Sequence, residues 1–151
     1  MTSKCAEEIL GFEFDWLASD ADGLVAVFST GGGGFAPDEF LRDTGAHDEA
    51  IDAILGSECS THARFAPQLP PGLKNTWRMM AERGVFAFDS DPHGGPYRLV
   101  AAPEAAIRAD ALPGPAAAVA RLLVLSQLRF SELTEAPSDL LRKRRFRTRL
   151  M

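Results

Sequence analysis

Apolar and polar positions alternate through GFEFDWL at residues 11–17, with Phe12, Phe14 and Trp16 set against Glu13 and Asp15. A period of two places the aromatic side chains on one face of a half-buried β-strand. The following SDADG supplies turn chemistry, because aspartates bond nearby backbone and glycine accepts positive φ. A β-branched and aromatic run, LVAVFST, comes next, so residues 12–30 are predicted to form a β-hairpin. A second stretch echoes the first. Val85 to Phe88 is apolar at every position, as in a central strand covered on both faces, and a loop through Pro92, His93, Gly94, Gly95 and Pro96 leads to the strand-like YRLVAA. Both stretches run aromatic strand, Asp-X-Asp turn, glycine and β-branched strand. Connections this short cannot carry parallel crossovers, which predicts two hairpins of one largely antiparallel sheet.

Helical periodicity fills much of the remainder. Pro37 stands at a favoured first position, with Asp38 and Glu39 complementing the dipole of a short helix that runs to about Asp43. After a break at Gly45, residues 47–55 repeat Ile51, Ile54 and Leu55 at helical spacing and stop at Gly56. Residues 57–72 are irregular and end in Pro70-Pro71-Gly72. Leu73, Trp77, Met80 and Ala81 then mark an amphipathic helix closed by Arg83 and Gly84. Alanines and leucines favour helix over 115–125, whereas LRFSEL at 128–133 alternates like a strand. The predicted class is α+β: a largely antiparallel sheet built from hairpins, with several short amphipathic helices packed against it.

Composition narrows the setting. At 151 residues, with 46% hydrophobic and 25% charged residues, the chain has the size and make-up of one globular domain, predicted over 1–141 with a basic tail at 142–151. Cys5 and Cys59 form no paired framework, which fits a reducing compartment. Glu7 and Glu8 stand where an export signal needs an apolar run, and the apolar stretch 112–128 is interrupted by Pro113, Pro115, Arg121 and Gln127. A cytoplasmic protein without membrane association is expected, as a monomer or small homo-oligomer.

Charge is distributed unevenly. Residues 1–60 carry 13 acidic side chains against Lys4 and Arg42, a net of −11; residues 61–141 balance eight against eight; and RKRRFRTR at 142–149 carries six bases and no acid. On the helix at 47–55, Asp48 and Glu49 each lie three or four residues from Asp52, where like charges cost about 0.2–0.5 kcal/mol per pair, and no base on that helix neutralises them. Two readings follow. The acidic residues are a solvated face, with the basic tail leaning on them; or Asp38, Glu39, Asp43, Asp48, Glu49 and Asp52 form a docking surface for a basic protein, steered by the field.

Other candidate chemistry is thin. Asp20-Ala21-Asp22-Gly23 has the start of a calcium loop, but the twelfth position counted from Asp20 is Gly31 where such a loop needs glutamate. Turn chemistry accounts for Asp20 and Asp22, and equally for Asp89 and Asp91. The run Gly31–Gly34 lacks the Lys-Ser/Thr of a phosphate-binding loop and reads as a tight connection. Cys59 and His62 form a Cys-X2-His pair that would centre a small metal- or thiol-dependent hydrolase, yet Cys5, His47 and His93 supply no second paired spacing. His47 and His93 read as polar surface residues. The tail has phosphate-binding composition with Phe146 available for stacking, but the acidic domain offers no second basic stripe, so nucleic acid is disfavoured as partner. No metal and no cofactor are expected.

The segments FDWLASDADGLVAVFSTGGGG and GVFAFDSDPHGGPYRLVAAP resemble small, largely uncharacterised bacterial proteins that include immunity proteins encoded beside polymorphic toxins. The resemblance covers residues 12–34 and 84–103 and rests on structural hairpins. It implies a non-catalytic cytosolic inhibitor that binds a cognate toxin, and it carries over no functional residue.

Overall fold

A computed structural model describes residues 2–66 and 68–142. In chain order the elements are α1 (Ala6–Ile9), β1 (Asp15–Asp20), β2 (Val25–Ser29), α2 (Asp38–Leu41), α3 (Thr44–Leu55), β3 (Ala63–Phe65) and α4 (Thr76–Ala81). They continue with β4 (Phe86–Asp89), β5 (Tyr97–Pro103), α5 (Gly114–Leu122), β6 (Val124–Leu125) and β7 (Glu135–Ala136). The fold is α+β, with helices packed on a seven-stranded sheet of order β3-β5-β4-β2-β1-β6 and β7 added beside β5.

Both hairpins form. β1 pairs antiparallel with β2, Trp16 opposite Phe28, and β4 pairs antiparallel with β5, Phe88 opposite Leu99. The hairpins join through a parallel pairing of β2 with β4, Phe28 opposite Phe88, and β6 runs parallel to β1. The sheet is therefore mixed, although most of its pairings are antiparallel. The β2–β4 connection holds α2, α3, β3 and α4, far more than the dozen or so residues a parallel crossover needs.

The hydrophobic residues divide between the two faces. On one lie Trp16, Phe28, Phe88, Tyr97 and Phe130, all fully buried. Trp16 stacks on Phe28 with centroids 4.2 Å apart, Phe28 stacks on Phe88 at 5.1 Å, and Tyr97 meets Trp16 and Phe28 edge-on. Such pairs add about 0.5–1.5 kcal/mol each beyond the area they bury. The Tyr97 hydroxyl accepts from Trp16 Nε1 at 3.1 Å and donates to the Phe35 carbonyl at 2.6 Å, which lets a phenol sit in this core. On the opposite face Leu17, Val27 and Ala87 pack against Ala50, Ile51 and Ile54 of α3, Met80 of α4 and Ala116 of α5. With both faces covered, β2 is buried at every position.

Several boundaries differ from those the periodicity predicts. Phe12 precedes β1 and is 65% exposed, so the aromatic alternation begins one repeat too early. α3 starts at Thr44, through the expected break at Gly45, because the Asp43 carboxylate caps it by accepting from the Ala46 N–H at 3.2 Å. Leu73 is 62% exposed and lies outside α4, whose start is set by Asn75 accepting from the Arg78 N–H. The irregular stretch contributes β3, which pairs with β5. LRFSEL is not a strand: Leu128 and Phe130 are buried, but the Phe130 N–H is bound to Asp20 Oδ2 at 2.7 Å and the chain turns into a short 3-10 helix, Phe130–Glu132. The Gly31–Gly34 run is the tight connection expected. Gly31 and Gly32 adopt φ of 63° and 98°, and a Cβ on Gly33 would overlap the Pro92 carbonyl of the second hairpin.

Candidate functional site

Strand register builds the most polar feature of the sheet. Asp15 at the start of β1 lies opposite Ser29 at the end of β2, and Ser29 lies opposite Asp89 at the end of β4. Residues in register share a face, so the three side chains form one row across the sheet. The row is one position beyond Trp16, Phe28 and Phe88, and so lies on the opposite, helix-covered face. α4 closes over it: Trp77 Nε1 donates to Ser29 Oγ at 3.1 Å. Asp15, Ser29 and Trp77, with Glu13, Leu69, Lys74 and Thr76, line an open cleft of about 400 Å3.

The carboxylates here are poorly compensated. Burial raises the Asp15 pKa above its usual range, the Ser29 hydroxyl works against that shift, and the Asp48 charge adds to it. Asp15 Oδ1 is buried with no hydrogen-bond partner among the described residues. Burial, then the charge of Asp15, raises Glu13; burial, then the charge of Asp52, raises Asp48. Asp89 is pushed up to about 6 by burial and by the charges of Glu13, Asp15 and Asp91, against the opposing Ser90 N–H. Among the described residues lining the cleft, Lys74 is the single base. The two ion pairs found among the described residues, Arg78–Glu82 at 3.6 Å and Arg129–Asp22 at 3.3 Å, lie elsewhere.

The six acidic residues singled out from the sequence fall into three settings. Asp48, Glu49 and Asp52 are exposed on α3, and Asp48 adjoins the carboxylate row electrostatically through Asp15. Asp38 and Glu39 belong to α2, which is anchored by Phe40 and Leu41 to the aromatic side of the sheet. Asp43 lies between them and is committed to structure: it caps α3 and also accepts from the Thr2 N–H at 3.1 Å, and these hydrogen bonds hold its carboxyl below the usual range. Sequence reading missed Glu13, Asp15, Ser29, Asp89 and Trp77 as one site. Their only signal was indirect, an Asp at the hairpin's first strand and another at the second hairpin's turn.

Other candidates resolve into local roles. His47 is not a surface residue: it is buried, its Nδ1 accepts from the Leu17 N–H at 3.0 Å, and burial pushes its pKa down to about 4 against the pull of Asp43. Asp20 Oδ1 accepts from the Asp22 and Leu24 N–H groups, and Asp91 Oδ1 from those of His93 and Gly95, so both serve their turns as expected. Asp89 differs, since it joins the carboxylate row. Cys59 and His62 are both exposed, and no group of three or more His, Cys, Asp or Glu side chains among the described residues is placed to hold a metal. No helix among the described residues is long and apolar enough to cross a membrane. Arg142 apart, the basic tail lies outside the described residues. Comparison of the chain with protein-family models, with curated proteins and with solved structures finds no match in any of the three.

Proposed function

We propose that this protein is a non-catalytic binding module, an immunity-type inhibitor whose acidic surface receives a basic protein, a cognate toxin being the partner its hairpin segments imply. The reading is carried by one observation: the Asp15–Ser29–Asp89 row holds carboxylates that burial and neighbouring negative charge disfavour as anions, and Asp15 Oδ1 has no donor among the described residues. A lysine or arginine side chain entering the cleft supplies the missing donors and relieves the repulsion. Trp77 and Leu69 give its aliphatic stem apolar surface to lie on. Asp48, Glu49 and Asp52, exposed on the adjoining helix, contribute to steering, which raises association rates about 10- to 1,000-fold where fields are complementary.

The test is a binding measurement between the purified protein and the polypeptide encoded by the adjacent gene, at low and at high salt. Complex formation that weakens as salt rises is expected. The triple change Asp48→Asn, Glu49→Gln, Asp52→Asn should slow association, and Asp15→Asn with Asp89→Asn should hasten dissociation. Absence of a complex at either salt concentration defeats the reading, and an on-rate unchanged in the triple variant removes α3 from the surface.

A further inference from the structure

Two large apolar side chains, Leu10 and Phe12, stand 61% and 65% exposed in the segment that leads into β1. Backbone hydrogen bonds hold them there. The Gly11 N–H donates to the Gly32 carbonyl at 2.8 Å and the Phe12 N–H to the Ile9 carbonyl at 3.0 Å, with Gly11 at a φ of 83° that favours glycine. Two residues on, the Phe14 N–H donates to Thr30 Oγ1 at 3.0 Å. Thr30 follows Ser29 of the carboxylate row, so the segment is tied to the sheet end just beyond that row. Phe12 is also the chain neighbour of Glu13, which lines the acidic cleft.

Charge flanking this apolar pair along the chain has one sign. Glu7 and Glu8, both exposed, precede it, Glu13 and Asp15 follow it, and no base occurs between Lys4 and Arg42. Arg142 reaches the groove that Leu10 also lines, but its guanidinium is seated over the Phe35 ring, 4.6 Å from the centroid. An uncovered apolar centre with a polar rim is the anatomy of a protein interface. The sign of the rim selects the occupant. In a symmetric contact between two copies the patch would meet itself, acid against acid, and an anionic lipid or nucleic-acid surface would meet the same repulsion. A basic polypeptide meets attraction.

We propose that Leu10 and Phe12 are the apolar half of the docking surface, and that the segment received there is basic and amphipathic: an apolar side chain rests on Leu10 and Phe12 while a neighbouring lysine or arginine enters the cleft at Glu13 and Asp15. This rests on the proposed function and adds to it the chemistry of the partner segment. Reach permits it. The Cα atoms of Phe12 and Asp15, three residues apart, are separated by at most about 11 Å, so residues two or three apart in an extended partner touch both halves. The two halves divide the work. Carboxylates govern encounter and salt dependence, and a desolvated apolar anchor governs how long the complex lasts.

Two peptides of equal length and charge, one alternating arginine with leucine and one alternating arginine with serine, test this on the full-length protein by amide NMR titration. The arginine–leucine peptide should bind at least about tenfold more tightly and shift the signals of residues 10–15 together with the Trp77 indole. Leu10→Ser combined with Phe12→Ser, both at exposed positions, should erase the difference between the peptides while the weaker, salt-sensitive binding of the arginine–serine peptide persists. Equal affinities in the parent protein, or a difference that survives in the double variant, overturns the proposal and leaves the acidic cleft as a docking site. If neither peptide shifts Glu13, Asp15 and Trp77, the proposed function falls with it. Shifts at Leu10 and Phe12 that grow with protein concentration in the absence of peptide would assign the patch to a second copy and overturn the proposal as well.

Discussion

Replacing Asp89 with Asn should stabilise the fold at neutral pH and leave it unchanged near pH 4. The Asp89 carboxyl titrates at about 6 in the folded protein against 3.8 for the free group. A difference of about two in pKa corresponds to a ceiling of about 3 kcal/mol, at 1.36 kcal/mol per pKa unit. Asp89 is only half-buried, so solvent screening reduces the expected gain to about 1 kcal/mol. The sign follows from proton uptake. Above pH 6 the carboxylate is charged in both states and the folded state carries the full penalty. As pH falls from 6 towards 4 the folded chain binds the proton first, and the penalty fades; below about 4 both states are neutral. Urea unfolding of the parent and of Asp89→Asn from pH 4 to pH 8 reads this directly. At pH 7.5 the variant should unfold at higher urea concentration, or melt about 2–4 °C higher for a chain of this length. A variant no more stable at pH 7.5, or equally stabilised at pH 4, refutes the account. Glu13→Gln supplies a control, because removing the largest of the neighbouring charge effects should shift the Asp89 titration downward.

Three further outcomes follow from the core. Tyr97→Phe deprives both Trp16 Nε1–H and the Phe35 carbonyl of their partner and should cost about 1–3 kcal/mol in chemical denaturation. His47 should titrate near 4 by imidazole NMR, so the stability it confers is complete above pH 6.5 and lost as pH falls towards 4; a midpoint near 6.5 contradicts its burial. Gly34→Ala places a Cβ 2.7 Å from Ser90 Cβ and 2.8 Å from the Tyr97 hydroxyl, and should cost about 1–3 kcal/mol by overpacking, seen as a lowered melting temperature.

Local pattern carried the hairpins, because each is specified within some twenty consecutive residues by aromatic strands and an Asp-X-Asp-Gly or Gly-Gly turn. Alanines and leucines favoured helix over 115–125, of which the part within α5, Gly114–Leu122, is helical, whereas Val124–Leu125 form β6 because they pair with β1. Local pattern failed where a residue's partner is distant in sequence. LRFSEL alternates because Leu128 and Phe130 both fill the aromatic core, but the Asp20 carboxylate, 110 positions away, claims the Phe130 N–H and bends the chain. His47 reads as an exposed helix-start histidine until Leu17, 30 positions earlier, donates to it. The carboxylate row is the extreme case. Asp15 reads as the solvent side of an alternating strand and Asp89 as a turn residue, and only the β1–β2 and β2–β4 registers set them on one row with Ser29. Runs of acidic residues on α3 were visible without any of this, since their spacing is local.

The row also separates two explanations of the acidity that the sequence leaves together. Charges that serve only solubility belong where water compensates them, and Asp48, Glu49 and Asp52 on the exposed side of α3 satisfy that condition. Asp15 and Asp89 do not, being half-buried, mutually repelling and, at Asp15 Oδ1, without a donor among the described residues. The next row inward on the same face is Leu17, Val27 and Ala87, so apolar or amide side chains are sterically at home in this layer. Carboxylates that weaken the fold are expected where binding benefits from them, because an incoming cation is attracted by the same uncompensated charge that destabilises the free protein. Stability and binding should therefore move in opposite directions at this row: Asp89→Asn gains stability and loses affinity for the basic partner. A variant that is stabilised while its complex keeps both its affinity and its salt dependence would assign the row to strain within the fold and confine the docking surface to α3.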